Sequence, residues 1–308
     1  MRWRGWRLQT KSPRQHFSWQ ATWPAASAGN CFPSMPASPD PIWTIASLEL
    51  EPLMPDLDGK TILVTGASKG IGASIARIAG EAGAFVIAHY GSDLPGAEAA
   101  LATVPAERKR FVQADLHDLD AAERLWDEAQ AWRGRIDVFV NNAAIMRWNG
   151  GVDEDDETWD AVWAETLQVN VLAPARLVRR AVKHYLASGG GILVTISSWG
   201  AQRGVTNPAT MAYAASKAAV KAMAQTIARA HARDNILTYI IAPGVVGTQM
   251  SEAFAATQGG TEKVFAGLAM GEWVPPDDIG HLVAFLATGK SRHLSGATLD
   301  VNGATYIR

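Results

Sequence analysis

The chain has 308 residues, of which 48% are hydrophobic and 19% charged, with 28 basic against 30 acidic side chains. This apolar fraction is enough for a packed core and excludes disorder along the whole chain. A formal net charge of −2 lacks the basic excess of a nucleic-acid-binding protein, and no apolar stretch is long enough to span a membrane, so we expect neither partner. The single cysteine, Cys31, excludes a disulfide framework and thiolate metal clusters, and we expect a cytoplasmic protein.

Residues 1–53 differ in composition from the rest of the chain. They contain five of the 12 tryptophans, seven of the 15 prolines and the only cysteine. The prolines interrupt every helical or strand period, and the segment has no apolar core of a secretory signal. We expect an atypical leader that is disordered or precedes the true start, with an organelle-targeting peptide or a folded segment as alternatives. The folded domain is predicted to occupy residues 54–308.

From residue 54 onward, short apolar runs alternate with longer amphipathic stretches. The runs predict strands at 61–65, 85–89, 110–114, 136–141, 192–197, 236–242 and 298–301. The amphipathic stretches predict helices at 71–82, 95–103, 118–132, 156–186, 211–233 and 276–288. Runs rich in Val, Ile and Leu between helices indicate a parallel sheet covered on both faces. We therefore predict one α/β domain, a doubly wound Rossmann-type parallel sheet of about seven strands, with ligands at the carboxyl ends of the strands.

A glycine-rich turn, TGASKGIG at residues 65–72, joins the first predicted strand to the first helix. Glycine there permits a tight turn and lets backbone N–H groups approach a pyrophosphate at the helix N-terminus. The alternative is a purely structural turn, in which glycine is needed only for packing. The strand–turn–helix context favours dinucleotide binding, with these candidate residues: Gly66, Ser68, Lys69, Gly70, Ile71 and Gly72.

Further motifs follow in order along the chain: NNAA at residues 141–144, Asn170 within LQVNV, ISS ending at Ser198, YAASK at residues 213–217 and PGVVGT at residues 243–248. Together with TGxxxGxG they resemble the short-form branch of the short-chain dehydrogenase/reductase family over residues 54–308. They are most similar to 3-oxoacyl-[acyl-carrier-protein] reductase-like members. In NNAA an alanine, Ala144, stands where that family carries glycine.

The YxxxK element also has a chemical basis. Residues four apart on a helix share a face, so Tyr213 and Lys217 can act on one site, and a nearby ammonium favours the phenolate. Ser198, at the end of a strand, is suited to hydrogen-bonding a substrate oxygen. By resemblance, Asn170 holds a water-linked proton path to Lys217, and Lys217 also holds the nicotinamide ribose. The alternative is a surface lysine one turn from a packed tyrosine.

The resemblance also implies the remaining cofactor contacts. Tyr90 occupies the end of the second strand, where an NAD site usually has an acid, and Lys69 resembles the basic residue that binds a 2′-phosphate. We therefore expect NADP(H) to be preferred, with NAD(H) possible and a solvated loop lysine as the alternative reading of Lys69. The other expected contacts are Asp115, Leu116, Asn142, Ala143, Pro243, Gly244, Val246 and Thr248, besides Tyr213 and Lys217.

No metal is expected. The acidic run at residues 153–157 begins a predicted helix, where negative charge suits the helix dipole, and the histidines lack ligand spacing. Each histidine is expected to be a surface or packing residue.

The predicted function is an NADP(H)-preferring oxidoreductase that exchanges a hydride between nicotinamide and a carbonyl or secondary alcohol. Its substrate would be a small molecule, and a 3-oxoacyl thioester is the first candidate by resemblance. Sugars, steroids and cyclic alcohols remain alternatives, as does an NADP-binding regulatory or scaffold protein on the same fold; a nucleotide-sugar epimerase or an enoyl reductase fits the motifs less well. The walls of a mostly apolar substrate pocket are expected at residues 145–151, 199–207 and 249–273. By resemblance the chain would form a homotetramer or homodimer.

Overall fold

A computed structural model of the chain describes residues 55–308. The leader predicted for residues 1–53 lies outside the described residues. The described residues belong to one compact unit. In the described range, no helix combines the length and apolar character needed to cross a membrane.

Seven parallel strands form one sheet in the order β3-β2-β1-β4-β5-β6-β7. This confirms the predicted doubly wound sheet, and each predicted strand is present within two residues of its expected bounds. The strands are β1 Thr61–Val64, β2 Phe85–Tyr90, β3 Lys109–Gln113, β4 Val138–Asn141, β5 Gly191–Ile196, β6 Ile236–Pro243 and β7 Thr298–Val301.

The helices alternate with the strands as the periodicity predicts. The helices are α1 Gly70–Glu81, α2 Leu94–Ala100, α3 Leu119–Arg133, α4 Asp156–Leu167, α5 Ala173–Ser188, α6 Gly200–Arg203, α7 Met211–His231, α8 Gln249–Gln258, α9 Thr261–Phe265 and α10 Pro276–Ala287. Three of them, α6, α8 and α9, were not predicted. They are short and lie in segments assigned to the pocket walls, where glycines such as Gly259 and Gly260 obscure a helical period.

The single helix predicted over 156–186 is divided by one turn of π-helix, Gln168–Leu172. The N–H of Ala173 donates to the carbonyl of Gln168, five residues earlier. Pro174 follows and has no N–H to donate to the preceding turn, which explains why the regular α-helical pattern fails here. Asn170 lies in this wider turn. The start of α4 fits the prediction for the acidic run, because the Asp155 carboxylate accepts the N–H of Thr158 at 2.7 Å.

Two apolar layers cover the sheet because alternate residues of each strand face opposite sides. In β1, Ile62 and Val64 pack in the layer that contains helices α1 and α10. Leu63 belongs to the other layer, with Trp126 of α3 and Leu177 of α5. Both layers are fully buried at these strands. They hold the strand ends rigidly where the loops of the site begin.

The strand order reverses between β1 and β4, since β1 pairs with β2 on one side and with β4 on the other. The chain crosses over after β3 to reach β4. In open α/β sheets, the crevice at the carboxyl ends of such strands is the usual ligand site. The glycine-rich turn after β1 and the NNAA segment after β4 both lie at this crevice.

Candidate active site

The glycine-rich turn requires glycine at specific positions. Gly66 has φ +67° and Gly70 has φ +56°, in the left-handed region that glycine favours. A Cβ on Gly72 would lie 2.0 Å from the carbonyl oxygen of Gly66 and 2.5 Å from Asn142 Nδ2. The first turn of α1 therefore packs directly on the end of β1, and its N-terminal backbone faces the crevice.

Thr65 and Asn142 hold this turn against β4. Thr65 Oγ1 accepts the N–H groups of Asn142 and Ala143 at 3.0 and 3.1 Å. Asn142 Nδ2 donates to the carbonyl oxygens of Thr65 and Gly66 at 2.8 and 3.2 Å. The amide of Asn142 thus fixes the shape of the turn as well as lining the crevice.

His89, at the end of β2, connects the turn to β3, which sequence reasoning did not find. The N–H of Gly66 donates to His89 Nδ1 at 3.1 Å, and His89 Nε2 lies 3.1 Å from the carbonyl oxygen of Ala114. Nδ1 must therefore carry the lone pair while Nε2–H donates. Burial lowers the pKa of His89 to about 4, against a smaller opposing effect of the bond to Ala114. The ring is thus neutral at neutral pH.

One cavity of about 870 Å³ runs along the carboxyl ends of the strands. Nearly all the predicted site residues line it, including those of the glycine-rich turn and the predicted catalytic residues Ser198, Tyr213 and Lys217. The predicted residues in its walls are Gly66, Ser68, Lys69, Gly70, Ile71, Gly72, Asp115, Leu116, Asn142, Ala143, Ser198, Tyr213, Lys217, Pro243, Gly244, Val246 and Thr248. Gly70 and Thr248 approach each other closely, since a Cβ on Gly70 would lie 3.0 Å from Thr248 Cγ2.

Tyr90 does not line the cavity, contrary to its assignment as a cofactor contact. His89, within β2, and Gly91 and Ser92, just beyond it, line the cavity instead. Tyr90 is partly buried at the strand end.

Asn170 also lies outside the cavity walls. Its Oδ1 accepts the N–H of Ile145 at 2.8 Å, and its Nδ2 donates to Ile145 O at 2.8 Å and to Ser216 Oγ at 3.0 Å. The side chain is buried, and these three bonds use both of its amide hydrogens and one of the two lone pairs of its oxygen. Asn170 therefore holds the loop after β4 and the helix that carries Tyr213, and no direct contact with Lys217 is formed by its side chain.

The end of β5 and the helix α7 bring Ser198, Tyr213 and Lys217 together. Lys217 is buried; its Nζ donates to Ile196 O at 2.9 Å, while its backbone carbonyl accepts Ser197 Oγ–H at 3.0 Å. Its Nζ lies 5.7 Å from the centre of the Tyr213 ring. Ser198 Oγ accepts the N–H of Gly200 at 3.1 Å. These hydrogen bonds fix Ser198 and Lys217, and Tyr213 lines the same cavity beside them.

The nearby ammonium was expected to lower the pKa of Tyr213, but the structure gives a raised pKa. Burial raises the pKa of Tyr213 to about 12, and its hydrogen bond with Ser198 opposes that rise. Burial also lowers the pKa of Lys217 to about 8. At neutral pH the phenol therefore keeps its proton and most Lys217 side chains remain charged. A neutral phenol beside an ammonium can donate a proton to an oxygen that gains negative charge.

A chain of ion pairs crosses the outer rim of the cavity. His117 Nδ1 lies 2.7 Å from Asp115 Oδ1, and His117 Nε2 lies 3.1 Å from Glu165 Oε1. Arg147 Nε donates to the other oxygen of Glu165 at 2.7 Å. The hydrogen bond to Asp115, supported by Glu165, raises the pKa of His117, although burial acts against it. This network connects the loop after β3, helix α4 and the loop after β4.

The predicted substrate walls are only partly present. Met250 lines the cavity with Trp148 and Met146 from the loop after β4, and Phe254 stacks on Trp148 with ring centres 6.1 Å apart. The 199–207 segment is absent from the walls. Other predicted wall residues pack elsewhere: Trp199 lies beneath the guanidinium of Arg203, and Phe265 packs on Trp273.

The geometry of the cavity fits a dinucleotide. The glycine-rich turn leaves no room for side chains at Gly66 and Gly72, and its backbone faces the cavity beside Ser68 and Lys69. Within residues 55–308, no group of three or more His, Cys, Asp or Glu side chains is arranged to hold a metal ion.

Comparison with known proteins agrees with this geometry. A family model described as "Enoyl-(Acyl carrier protein) reductase" matches residues 66–304. A 3beta-hydroxysteroid dehydrogenase 1 from Eggerthella lenta is 34% identical over 82% of this chain and 95% of that protein. A 3-oxoacyl-[acyl-carrier-protein] reductase from Staphylococcus aureus is 31% identical over 80% and 98%, and a 2-dehydro-3-deoxy-D-gluconate 5-dehydrogenase from Escherichia coli is 30% identical over 82% and 97%.

Solved structures show the same fold. A proposed NAD(P)-dependent gluconate 5-dehydrogenase from Beutenbergia cavernae, with bound NADP, is 34% identical, with a TM-score of 0.73 over 81% of this chain and 98% of that one. A variant of the actinorhodin polyketide ketoreductase with NADPH is 26% identical, with a TM-score of 0.72 over 80% and 97%. With the glycine-rich turn, the serine and the YxxxK pair in one cavity, the chain belongs to the short-chain dehydrogenase/reductase family of oxidoreductases.

Proposed function

We propose that this protein uses NADP(H) to interconvert a small-molecule carbonyl compound and its secondary alcohol. The observation that carries the proposal is that Ser198, Tyr213 and Lys217 line the same cavity as the glycine-rich turn. Bound NADPH would supply the hydride that reduces the carbonyl carbon. The spacing of four between Tyr213 and Lys217 supports carbonyl rather than enoyl reduction.

Tyr213, Ser198 and Lys217 each have a separate role in the proton transfer. Tyr213 donates its phenolic proton to the carbonyl oxygen in the reductive direction, and Ser198 donates a hydrogen bond to the same oxygen. The ammonium of Lys217 stabilises the phenolate that forms, because its Nζ lies 5.7 Å from the tyrosine ring. In alcohol oxidation the same groups act in reverse. Asn170 acts as a positioning residue through its bonds to Ile145 and Ser216.

The preference for NADP(H) over NAD(H) is supported by the charges near the end of β2. Lys69 is exposed in the cavity wall, and no described ion pair or hydrogen bond engages its Nζ. The nearest acid after β2, Asp93, caps helix α2 by accepting the N–H of Gly96 at 2.9 Å. A cation without a competing carboxylate suits a 2′-phosphate better than a 2′-hydroxyl. The two solved relatives contain NADP and NADPH.

Cofactor preference is tested by Lys69→Ala. The KM for NADPH should rise about tenfold while the KM for NADH changes little, because only NADPH brings the phosphate. Lys290→Ala, an exposed lysine remote from the cavity walls, is the matched control. Unchanged KM values for both cofactors in Lys69→Ala would remove this residue from the phosphate site.

The activity itself is tested by following NADPH oxidation by the full chain with ketones, 3-oxoacyl thioesters and keto sugars. Turnover that Tyr213→Phe abolishes while NADPH still binds supports the proposal. Tight NADPH binding without turnover on any carbonyl, unaffected by Tyr213→Phe, would instead indicate a regulatory or scaffold protein on this fold. The cytoplasmic location stays a prediction from composition, and the homodimer or homotetramer and the 3-oxoacyl thioester substrate stay predictions from resemblance.

A further inference from the structure

The cavity beyond Ser198 and Tyr213 has an aromatic and aliphatic wall. Trp148, on the loop after β4, and Met250, at the start of α8, both line it. Phe254, one turn further along α8, stacks on Trp148 with the ring planes 22° apart. The stack joins the two segments that flank the substrate side. Flat apolar rings beside this wall would gain burial and aromatic contacts.

The cation nearest this wall is already neutralised. Arg147, adjacent to Trp148 in the chain, donates through Nε and Nη2, on one edge of its guanidinium, to the two carboxylate oxygens of Glu165. Such a paired, planar arrangement is the strongest that arginine makes with a carboxylate. The hydrogen bond to Glu165 raises the pKa of Arg147, and the same bond lowers the pKa of Glu165, so both groups stay charged and neutralise each other.

The other cations in the cavity wall also have partners or a cofactor role. His117 lies between Asp115 and Glu165, and Lys217 donates to the carbonyl oxygen of Ile196. Lys69, on the glycine-rich turn, would bind the 2′-phosphate of the cofactor. Among the described cations in the cavity wall, none besides Lys69 offers an uncommitted positive charge to a carboxylate or phosphate of the substrate. Burying such an anion without a partner is strongly unfavourable.

We propose that the substrate is an uncharged apolar ketone or secondary alcohol, whose ring system packs against Trp148 and Met250, with Phe254 supporting Trp148 through their stack. This inference rests on the proposed function and names its substrate class. It sets the protein apart from a relative named for a sugar acid, because that substrate carries a carboxylate.

The most direct test compares two ketones of similar shape, one uncharged and one negatively charged. With NADPH, 4-methylcyclohexanone is uncharged, while 4-oxocyclohexanecarboxylate carries a carboxylate on the same ring carbon. We expect kcat/KM to be at least about tenfold higher for the uncharged ketone, and higher again for 4-phenylcyclohexanone. Equal or better turnover of the carboxylate would overturn the inference and leave the proposed function intact. Failure to reduce any carbonyl compound would instead count against the proposed function.

Removing the neutralising partner gives a gain-of-function test. In Glu165→Gln, Arg147 loses its carboxylate and becomes available, so the preference for the uncharged ketone should fall at least about fivefold. Glu157→Gln, on the same helix and without a described ion pair, is the matched control and should keep the preference. A preference that Glu165→Gln leaves unchanged would show that Arg147 does not govern charge discrimination.

The aromatic wall is tested separately. Trp148→Ala and Phe254→Ala should raise KM for 4-phenylcyclohexanone about tenfold and change KM for cyclohexanone less than about threefold. Trp148→Phe should restore much of the loss. Phe285→Ala, an exposed phenylalanine of α10, is the control. Calorimetric binding of 4-phenylcyclohexanol to the NADPH complex gives a readout independent of turnover; equal losses for large and small ring ketones would contradict a specific ring contact.

Discussion

The backbone N–H of Gly66 donates a hydrogen bond to Nδ1 of His89, with the two nitrogens 3.1 Å apart. The carbonyl oxygen of His89 also accepts the N–H of Ala67 at 2.8 Å. The glycine-rich turn is thus attached to β2 through both the backbone and the side chain of one residue. Because the ring is neutral and buried, it accepts this bond while its Nε2–H donates to the carbonyl oxygen of Ala114, just beyond β3.

We expect His89→Leu to weaken NADPH binding about tenfold. Leucine fills the volume but leaves Gly66 N–H and Ala114 O without partners, at about 1–3 kcal/mol for each unsatisfied group. His89→Asn, whose amide has both a donor and an acceptor, should recover part of the affinity. Fluorescence titration with NADPH measures both variants. Equal affinities for wild type and His89→Leu would show that the bond does not position the turn.

His89 should also make the fold sensitive to acid. Its folded-state pKa of about 4 lies below the ordinary value of 6.5, so between these values the unfolded chain binds more protons. Its contribution to stability is therefore full above pH 6.5 and falls as the pH drops towards 4, by about 3 kcal/mol in all. Urea unfolding at several pH values should show a steeper acid loss for wild type than for His89→Asn. Parallel curves would contradict this assignment.

Much of this architecture could be predicted because its signals are local. Each strand is a short run of apolar residues between helical stretches, so all seven were recognisable. TGASKGIG encodes a turn whose backbone conformation and close contacts need glycine, which the structure confirms at Gly66 and Gly72. YAASK places its two reactive side chains one helical turn apart, and the family match covers these motifs.

The missed features depend on contacts between residues distant in sequence. In the sequence His89 is indistinguishable from an ordinary strand residue. Its role depends on contacts with Gly66 and Ala114, which only the fold brings next to it. The helix containing Asn170 has an unbroken period, so its π-turn was not expected, although Pro174 was a usable signal. Likewise, Arg147 and Glu165 are 18 residues apart, and only the folded loop shows that they neutralise each other.

Replacing Gly72 should disrupt the cofactor turn much more than replacing Gly91. An alanine Cβ at Gly72 would lie 2.0 Å from the Gly66 carbonyl oxygen, a backbone atom that cannot move without shifting the turn. We expect Gly72→Ala to destabilise the fold by about 1–3 kcal/mol and to weaken NADPH binding at least about tenfold. Gly91 also lines the cavity but has open space around it, so Gly91→Ala is the matched control. Thermal unfolding and NADPH titration compare them; similar effects of both would refute the packing argument.

Carbonyl reduction should weaken as the pH rises through about 8. The pKa of Lys217 is lowered to about 8, so its positive charge is present below that value and lost above it, while Tyr213, with a pKa of about 12, keeps its proton throughout. Lys217→Met should lower kcat by about 10²–10⁴-fold and remove this pH dependence. Lys221→Met, one turn further along α7, should retain the wild-type kcat and its pH dependence. A wild-type pH profile that stays flat to about pH 10 would argue against a role for the ammonium.

The ion-pair chain around His117 should weaken in mildly basic solution. Asp115 and Glu165 each accept from His117, so both ring nitrogens need a proton, and the raised pKa of His117 reflects this. A group with a raised folded-state pKa stabilises fully below its ordinary value of 6.5 and loses that contribution as the pH rises through the raised value. The His117 side chain is 46% exposed, so solvent screening limits the effect to about 1 kcal/mol or less. Melting curves from about pH 5.5 to about pH 8.5 should show wild type losing its advantage over His117→Gln with rising pH, and an advantage that grew instead would reverse the assigned charge state.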